Sequence, residues 1–349
     1  MRYLTTTMLA GVAFVSTAAA QQSSADEIVI RDFYGVIELD LSGNRPINVS
    51  RNGGSQGDFT VEEDGSALVV DGGDDIDERA FHREYSRLNR GNWNNRKPGE
   101  DKAFDKMLEG KPRLSITAPE GTKLRIEDSA VRMTATGAAG AVETAENVMI
   151  VAMLGDIVSG DLDIDGNGYI KVGAVAGALD ASIHGSGDIA FGQAKSGGFA
   201  IHGSGDIEGG DIGGDLEAMV HGSGDVEVGN VAGAANLSIH GSGDVEVKEV
   251  SGGVVIEIEG SGDIELAEAR ESLGILVRGS GDVDVGSGNV DRLEIRIQGS
   301  GDVSYGGEAQ TARLESDGSG SIKVGPVAGN IDIDGDDITI DGRRQRSRD

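Results

Sequence analysis

Leu216-Glu217-Ala218-Met219-Val220-His221-Gly222-Ser223-Gly224-Asp225-Val226-Glu227-Val228 is the stretch whose reading decides the fold. Leu216, Ala218 and Val220 alternate with Glu217 and Met219, and Val226 and Val228 flank Glu227. An apolar period of two marks short strands with one face buried. Between the strands stands Gly-Ser-Gly-Asp. Glycine enters positive φ without steric cost, which predicts a sharp corner there. Val254, Ile256 and Ile258 before Gly260, then Ile264 and Leu266, repeat the scheme. So do Leu293, Ile295 and Ile297 before Gly299, then Val303 and Tyr305.

The tetrapeptide recurs along the chain. Its first glycines are Gly185, Gly203, Gly222, Gly241, Gly260, Gly279 and Gly299, and its second are Gly187, Gly205, Gly224, Gly243, Gly262, Gly281 and Gly301. Its aspartates are Asp188, Asp206, Asp225, Asp244, Asp263, Asp282 and Asp302. An altered copy, Gly318-Ser319-Gly320-Ser321, follows, and a degenerate one, Gly166-Asn167-Gly168-Tyr169, precedes. From Gly166 to Gly318 the first glycines lie 19, 18, 19, 19, 19, 19, 20 and 19 residues apart. A period near twenty is the mark of a stacked solenoid, whose single coils cannot bury their apolar faces alone. A weaker third inward point follows in the coils, at Val175, Ala194, Ile212, Val231, Val250, Ala269 and Val327. Three faces per coil predict an all-β, right-handed parallel β-solenoid filled with Val, Ile, Leu and Ala. At about 4.8 Å per coil, some nine coils make a rod roughly 40 Å long. The 18- and 20-residue intervals are expected to be absorbed after Phe191 and Gly286.

The rest of the chain divides by composition. Residues 1–20, with Arg2, an apolar core and Ala18-Ala19-Ala20, read as an export signal too short to span a membrane. Residues 21–77 hold Ile28-Val29-Ile30, Val36-Ile37-Glu38-Leu39, Ile47-Asn48-Val49, Phe59-Thr60-Val61 and Ala67-Leu68-Val69-Val70. They are expected to form a β cap over an otherwise open first coil. Residues 78–113 carry ten of the thirty basic residues against six acids, together with the one tryptophan, Trp93. Phe81, Tyr85 and Leu88 lie there at helical spacing, with Arg79, Arg83, Arg87 and Arg90 on other faces. The stretch reads as a partly helical insertion whose aromatic stripe packs on the body; a partner-binding patch is the alternative. Residues 114–342 carry the solenoid, opening with degenerate coils, and 343–349 form a basic tail.

A net charge of −30 argues against nucleic acid or anionic lipid as a partner. The chain has no cysteine, so neither a disulfide nor a lipid-bearing cysteine is available. No apolar stretch is long enough to cross a membrane. The mature chain is expected in the periplasm or outside the cell, with an envelope or surface partner.

Stacking turns equivalent positions into columns. The seven aspartates form one column; Ala190, Glu208, Glu227, Glu246, Glu265, Asp284 and Ser304 form another, both on the outward phase. Unit charges about 4.8 Å apart repel by roughly 1 kcal/mol in water, so something must offset that repulsion. In the first reading each carboxylate accepts hydrogen bonds from amides of its own or an adjacent corner. The alternative places Ca²⁺, which takes oxygen ligands, along the aspartate column. His184, His202, His221 and His240 precede the motif, but the same position continues as Glu259, Arg278, Gln298 and Asp317. Such a mixture marks a solvated strand end rather than a metal site. Phosphate-loop, nucleophile-elbow and His-Glu-x-x-His patterns are missing, so no catalytic residue or cofactor is assigned.

The repeated [His/Glu/Arg]-Gly-Ser-Gly-Asp-[Ile/Val]-x-[Val/Leu] resembles a bacterial family described as "putative auto-transporter adhesin, head GIN domain". Ile30-Arg31-Asp32-Phe33-Tyr34-Gly35-Val36-Ile37 and Gly65-Ser66-Ala67-Leu68-Val69-Val70 look like that family's start. The resemblance implies an exported β-solenoid and brings no catalytic residues with it. Nothing after Asp341 has the pattern of a translocator barrel. The expectation is a non-enzymatic scaffold or adhesion module of the cell envelope. A Ca²⁺-dependent binding module is the alternative, and a polysaccharide-active enzyme the third reading.

Overall fold

The computed structural model describes residues 13–14, 21–43, 46–55, 57–73, 76–89 and 101–345. Most of the expected export signal, Arg90, Trp93 and the end of the basic tail lie outside these residues. The chain forms two compact units, residues 1–155 and 156–349.

Residues 156–345 form a parallel β-solenoid with the predicted spacing. On its first face, Leu216–Val220 pairs in parallel with Gln193–Ile201 on one side and Ala235–Ile239 on the other, with Leu216 opposite Ala235. On the second face, Val226–Val228 lies between Ile207–Gly209 and Val245–Val250. Apart from Ile331 and Ile333 in the last coil, the inward apolar residues of both faces are buried, so each coil seals its neighbours. On the third face, Val175, Ala194, Ile212, Val231, Val250 and Ala269 are buried and joined in parallel register. Val327 is only half-buried there. Val290 and Ala309, which the nine-residue spacing passes over, are buried and pair with each other between Gly288, which lies opposite Ala269, and Val327.

The irregular intervals fall where the third face is thinnest. The missing residue lies at Lys195-Ser196, since Val175 pairs with Ala194 but Ala178 with Ser196. The extra one lies between Gly288 and Arg292, since Ala269 pairs with Gly288 but Ser272 with Arg292.

The glycines of the motif do not serve the purpose first assigned to them. None of them has positive φ. Their role is close approach. Each serine amide donates to the first glycine's carbonyl of the preceding coil, at 2.8–3.0 Å. A Cβ on Gly222 would stand 1.8 Å from the Gly203 carbonyl oxygen, and one on Gly224 1.9 Å from that of Gly205. The corner stacks backbone on backbone, and no side chain fits between.

Residues 1–155 are also built on parallel ladders, but in an order the sequence does not suggest. Tyr34–Asp40 lies between Arg113–Thr117 and Ala130–Thr136, and Glu27–Arg31 lies between Ala67–Asp71 and Lys123–Glu127. Two strands expected in a separate cap are thus inside the stack, paired with residues almost a hundred positions away. The antiparallel cover comes from Ile47–Gly53 on Arg113–Thr117 and Thr60–Asp64 on Ala67–Asp71. Two helices follow, α1 (Glu78–Leu88) and α2 (Lys102–Met107). Asp77 caps α1 by accepting from the Ala80 amide at 2.9 Å. Asp101 caps α2 with one oxygen, from Ala103 and Phe104, and accepts the Tyr85 hydroxyl on the other at 2.5 Å. Phe81, Tyr85 and Phe104 are buried, while Arg79, Arg83 and Arg87 face solvent. The aromatic stripe therefore packs inward.

Candidate functional site

The aspartate column is a hydrogen-bonded ladder. One oxygen of each carboxylate accepts the backbone N–H of the aspartate in the next coil. Asp206 donates to Asp188 at 3.2 Å, Asp225 to Asp206 at 2.9 Å, and Asp244 to Asp225 at 2.8 Å. Asp263, Asp282 and Asp302 continue at 2.8, 2.8 and 2.7 Å. Ser321 ends the series, donating its amide at 2.7 Å and its hydroxyl at 3.0 Å to Asp302. The donor in each case is the amide of the aspartate in the adjacent corner, one coil on. Each carboxylate is thus tied to the following coil, a bond worth about 1 kcal/mol on an exposed surface. The Ser321 amide holds the Asp302 carboxyl below its ordinary range, whereas burial pushes that of half-buried Asp188 up.

The neighbouring acidic column has no such tie. Glu208, Glu227, Glu246, Glu265 and Asp284 follow one another in register, exposed and without an ion pair among the described residues. Among those residues, no three His, Asp or Glu side chains are grouped to hold a metal ion.

His184, His202, His221 and His240 stack ring on ring, with successive centroids 4.8 Å apart and planes within 13° of parallel. Carboxylates stand at both ends of the stack. Asp165 is 3.8 Å from His184, and Glu259 is 3.4 Å from His240. Burial, then the flanking rings of His202 and His240, lower the pKa of the inner His221. Beyond Glu259 the column is carried by Arg278, which pairs with Glu257 and, at 2.6 Å, with Glu259.

Residues 1–155 hold a cleft of about 410 Å³, which sequence reasoning missed. Its floor is Tyr34 beside Phe81, rings 5.6 Å apart, with the Lys111 ammonium 3.9 Å above the Tyr34 ring. The Tyr34 hydroxyl donates to the Met107 carbonyl at 3.2 Å. Burial, then the charge of Glu84, push Tyr34 up to about 12, and burial lowers Lys111. Asp32, Asp58, Asp77 and Glu84 also line it. Tyr34 and Lys111 meet only through the fold, and no local pattern announces them.

No curated protein matches the chain. The strands Val254–Ile258, Ser272–Val277, Val283–Ile297 and Glu308–Ser316 lie in one stretch that does have a counterpart among known families. Over residues 254–334, inside the solenoid, the chain matches the model of the family described as "Putative auto-transporter adhesin, head GIN domain", the one its repeat resembles.

Proposed function

We propose that the chain is an exported, non-enzymatic adhesion-type module that presents the outer faces of a β-solenoid at the cell envelope. The β-solenoid and the family match fit an adhesion-type module. One observation carries the reading. The charged group of the repeat, the motif aspartate, is used to hold coil to coil, and the coil interior is filled with side chains. What the repeat offers a partner is its long exterior.

The test has two arms. Beads coated with the mature chain, added to cells and to surface polysaccharides, are expected to adhere above beads coated with an unrelated acidic protein. Protease added to intact cells is expected to cleave the chain. No excess adhesion, together with full protection from protease, would sink the reading. Turnover of an acidic polysaccharide by the purified chain, lost on removing one acid pair, would replace it with the enzyme.

The untied Glu208–Asp284 register favours a second reading, in which Ca²⁺ lies along the acidic columns. Melting with EDTA and with millimolar Ca²⁺ separates the two. A large rise in Tm with Ca²⁺ supports the second; a change of about a degree removes it.

A further inference from the structure

The last coil is closed unevenly. Its strand Ile338–Ile340 is covered by the antiparallel strand Arg343–Arg344, and Ile338 and Ile340 are buried. Its other strand, Ile331–Gly335, pairs on one side only, in parallel with Glu308–Ser316. No strand among the described residues lies on the open side. Ile331 is 42 % exposed and Ile333 half-exposed, although Ala312 and Leu314, opposite them one coil earlier, are buried. The Ala312 amide donates to the Asn330 carbonyl at 3.0 Å. In a parallel pair with Ile331 opposite Ala312, that bond turns the amides and carbonyls of Ile331 and Ile333 to the open side. The edge therefore offers both main-chain hydrogen bonds and a bare apolar pair.

The charge at this edge says what would cover it. Glu294, Arg313 and Asp332 succeed one another in register, acid, base, acid. In the next column Arg296 is followed by Glu315 and then Asp334. Arg296 and Arg313 both pair with Glu315, at 2.7 and 2.5 Å. Asp332 and Asp334 are exposed and have no ion pair among the described residues. The first column alternates in sign and the second ends in two successive carboxylates, so a cation is the complementary next member of each.

We infer that the strand Ile331–Gly335 is a docking edge for an extended segment of another protein in which apolar and basic residues alternate. Its apolar residues cover Ile331 and Ile333, and its basic residues face Asp332 and Asp334. Strand addition of this kind takes affinity from the main chain and specificity from alternate side chains. A second copy of the same end is the wrong chemistry, because it sets carboxylate against carboxylate. The inference goes beyond the adhesion reading and does not depend on it.

The experiment is fluorescence anisotropy on the mature chain with two labelled octapeptides of one composition. In one, valine and lysine alternate; in the other, four valines precede four lysines. The alternating peptide is expected to bind at least tenfold more tightly. Asp332→Lys with Asp334→Lys is expected to abolish that preference and pass it to an alternating valine–glutamate peptide. Ile331→Pro removes an outward N–H at the first strand position, where proline is tolerated, and is expected to cut binding tenfold or more. Equal binding of the two isomers, or binding indifferent to the double charge reversal, reflects only attraction to an acidic chain and overturns the inference. Binding that emerges only after deletion of residues 346–349 gives the edge to the chain's own tail and overturns it. So does self-association that Ile331→Pro abolishes.

Discussion

The two units turn their corners by opposite means. In residues 1–155, Asp32, Asp128 and Glu146 take φ of 50°, 50° and 52°, each between a pair of consecutive strands. Side chains then close the bends: Ser129 accepts from the Phe33 amide at 3.1 Å, and Asn147 accepts from Ser129 and donates to Ile126. In residues 156–349 the Gly-Ser-Gly-Asp corners use no positive φ at all. They are held by serine amides on glycine carbonyls and by the aspartate ladder. Both sets of bends stack, since Tyr34 lies opposite Ala130 and Ala130 opposite Met149. One stack combines positive φ with serine and asparagine side chains; the other combines close glycine backbone with aspartate carboxylates. Glycine is there for lack of a side chain, not for freedom of φ.

That contrast is broken most directly at the glycines. Gly222→Ala drives a Cβ into the Gly203 carbonyl and is expected to cost about 3 kcal/mol or more, toward the upper end for overpacking. Gly65→Ala, at a turn with φ of 64° and nothing within 4 Å, is expected to cost only about 1 kcal/mol of backbone strain. Urea melts of the two variants decide the matter, and equal losses would erase the distinction.

Next in size is Tyr85→Phe, which takes the hydroxyl from the buried bond to Asp101 that joins α1 to α2. A loss of about 2 kcal/mol is expected, as for bonds to charged groups. Amide hydrogen exchange should show faster exchange within residues 1–155 and unchanged rates in the coils from Gly203 to Gly299. Loosening of those coils would contradict the assignment.

One rung of the ladder is worth less. Asp244→Ala removes the acceptor for the Asp263 amide and is expected to cost about 1 kcal/mol. Asp244→Asn keeps an oxygen acceptor and sheds a charge, so its melting temperature should stay at or above that of the unaltered chain. If Asn proves as harmful as Ala, the carboxylate's charge matters for something other than this bond.

The smallest effect is that of pH on the histidine stack. His221 binds its proton less readily folded than unfolded, where its ordinary value is 6.5. The unfolded chain therefore takes up more protons below that value, and this contribution to stability, complete above it, is lost as pH falls. His221→Gln should flatten the fall in melting temperature between about pH 7.5 and pH 5. An unaltered slope would show that the ring stack does not contribute to it.

Much of this was legible in the sequence, and for a physical reason. When a pairing joins residue i to residue i+19, the same pattern appears in both partners, and reading one coil reads them all. Leu216, Ala218 and Val220 announced their own neighbours. The third face blurred where Val290 and Ala309 left the common spacing. The pairing of Glu27–Arg31 with Lys123–Glu127 repeats nothing, nor does that of Tyr34–Asp40 with Arg113–Thr117, on which the meeting of Tyr34 with Lys111 depends. The aspartate column was visible as a column, but its donor was not. Periodicity records which positions coincide and is silent on which amide each carboxylate meets.

The ladder also has a direction. Every rung runs from a carboxylate to the amide of the coil that follows it in the chain, from Asp188 through Asp302. A polypeptide emerges amino end first, and domains generally form in that order during synthesis. Each finished coil then holds out an acceptor before its successor has appeared. A coil completed first therefore already presents the acceptor its successor needs, and the ladder can be extended from the amino end one rung at a time.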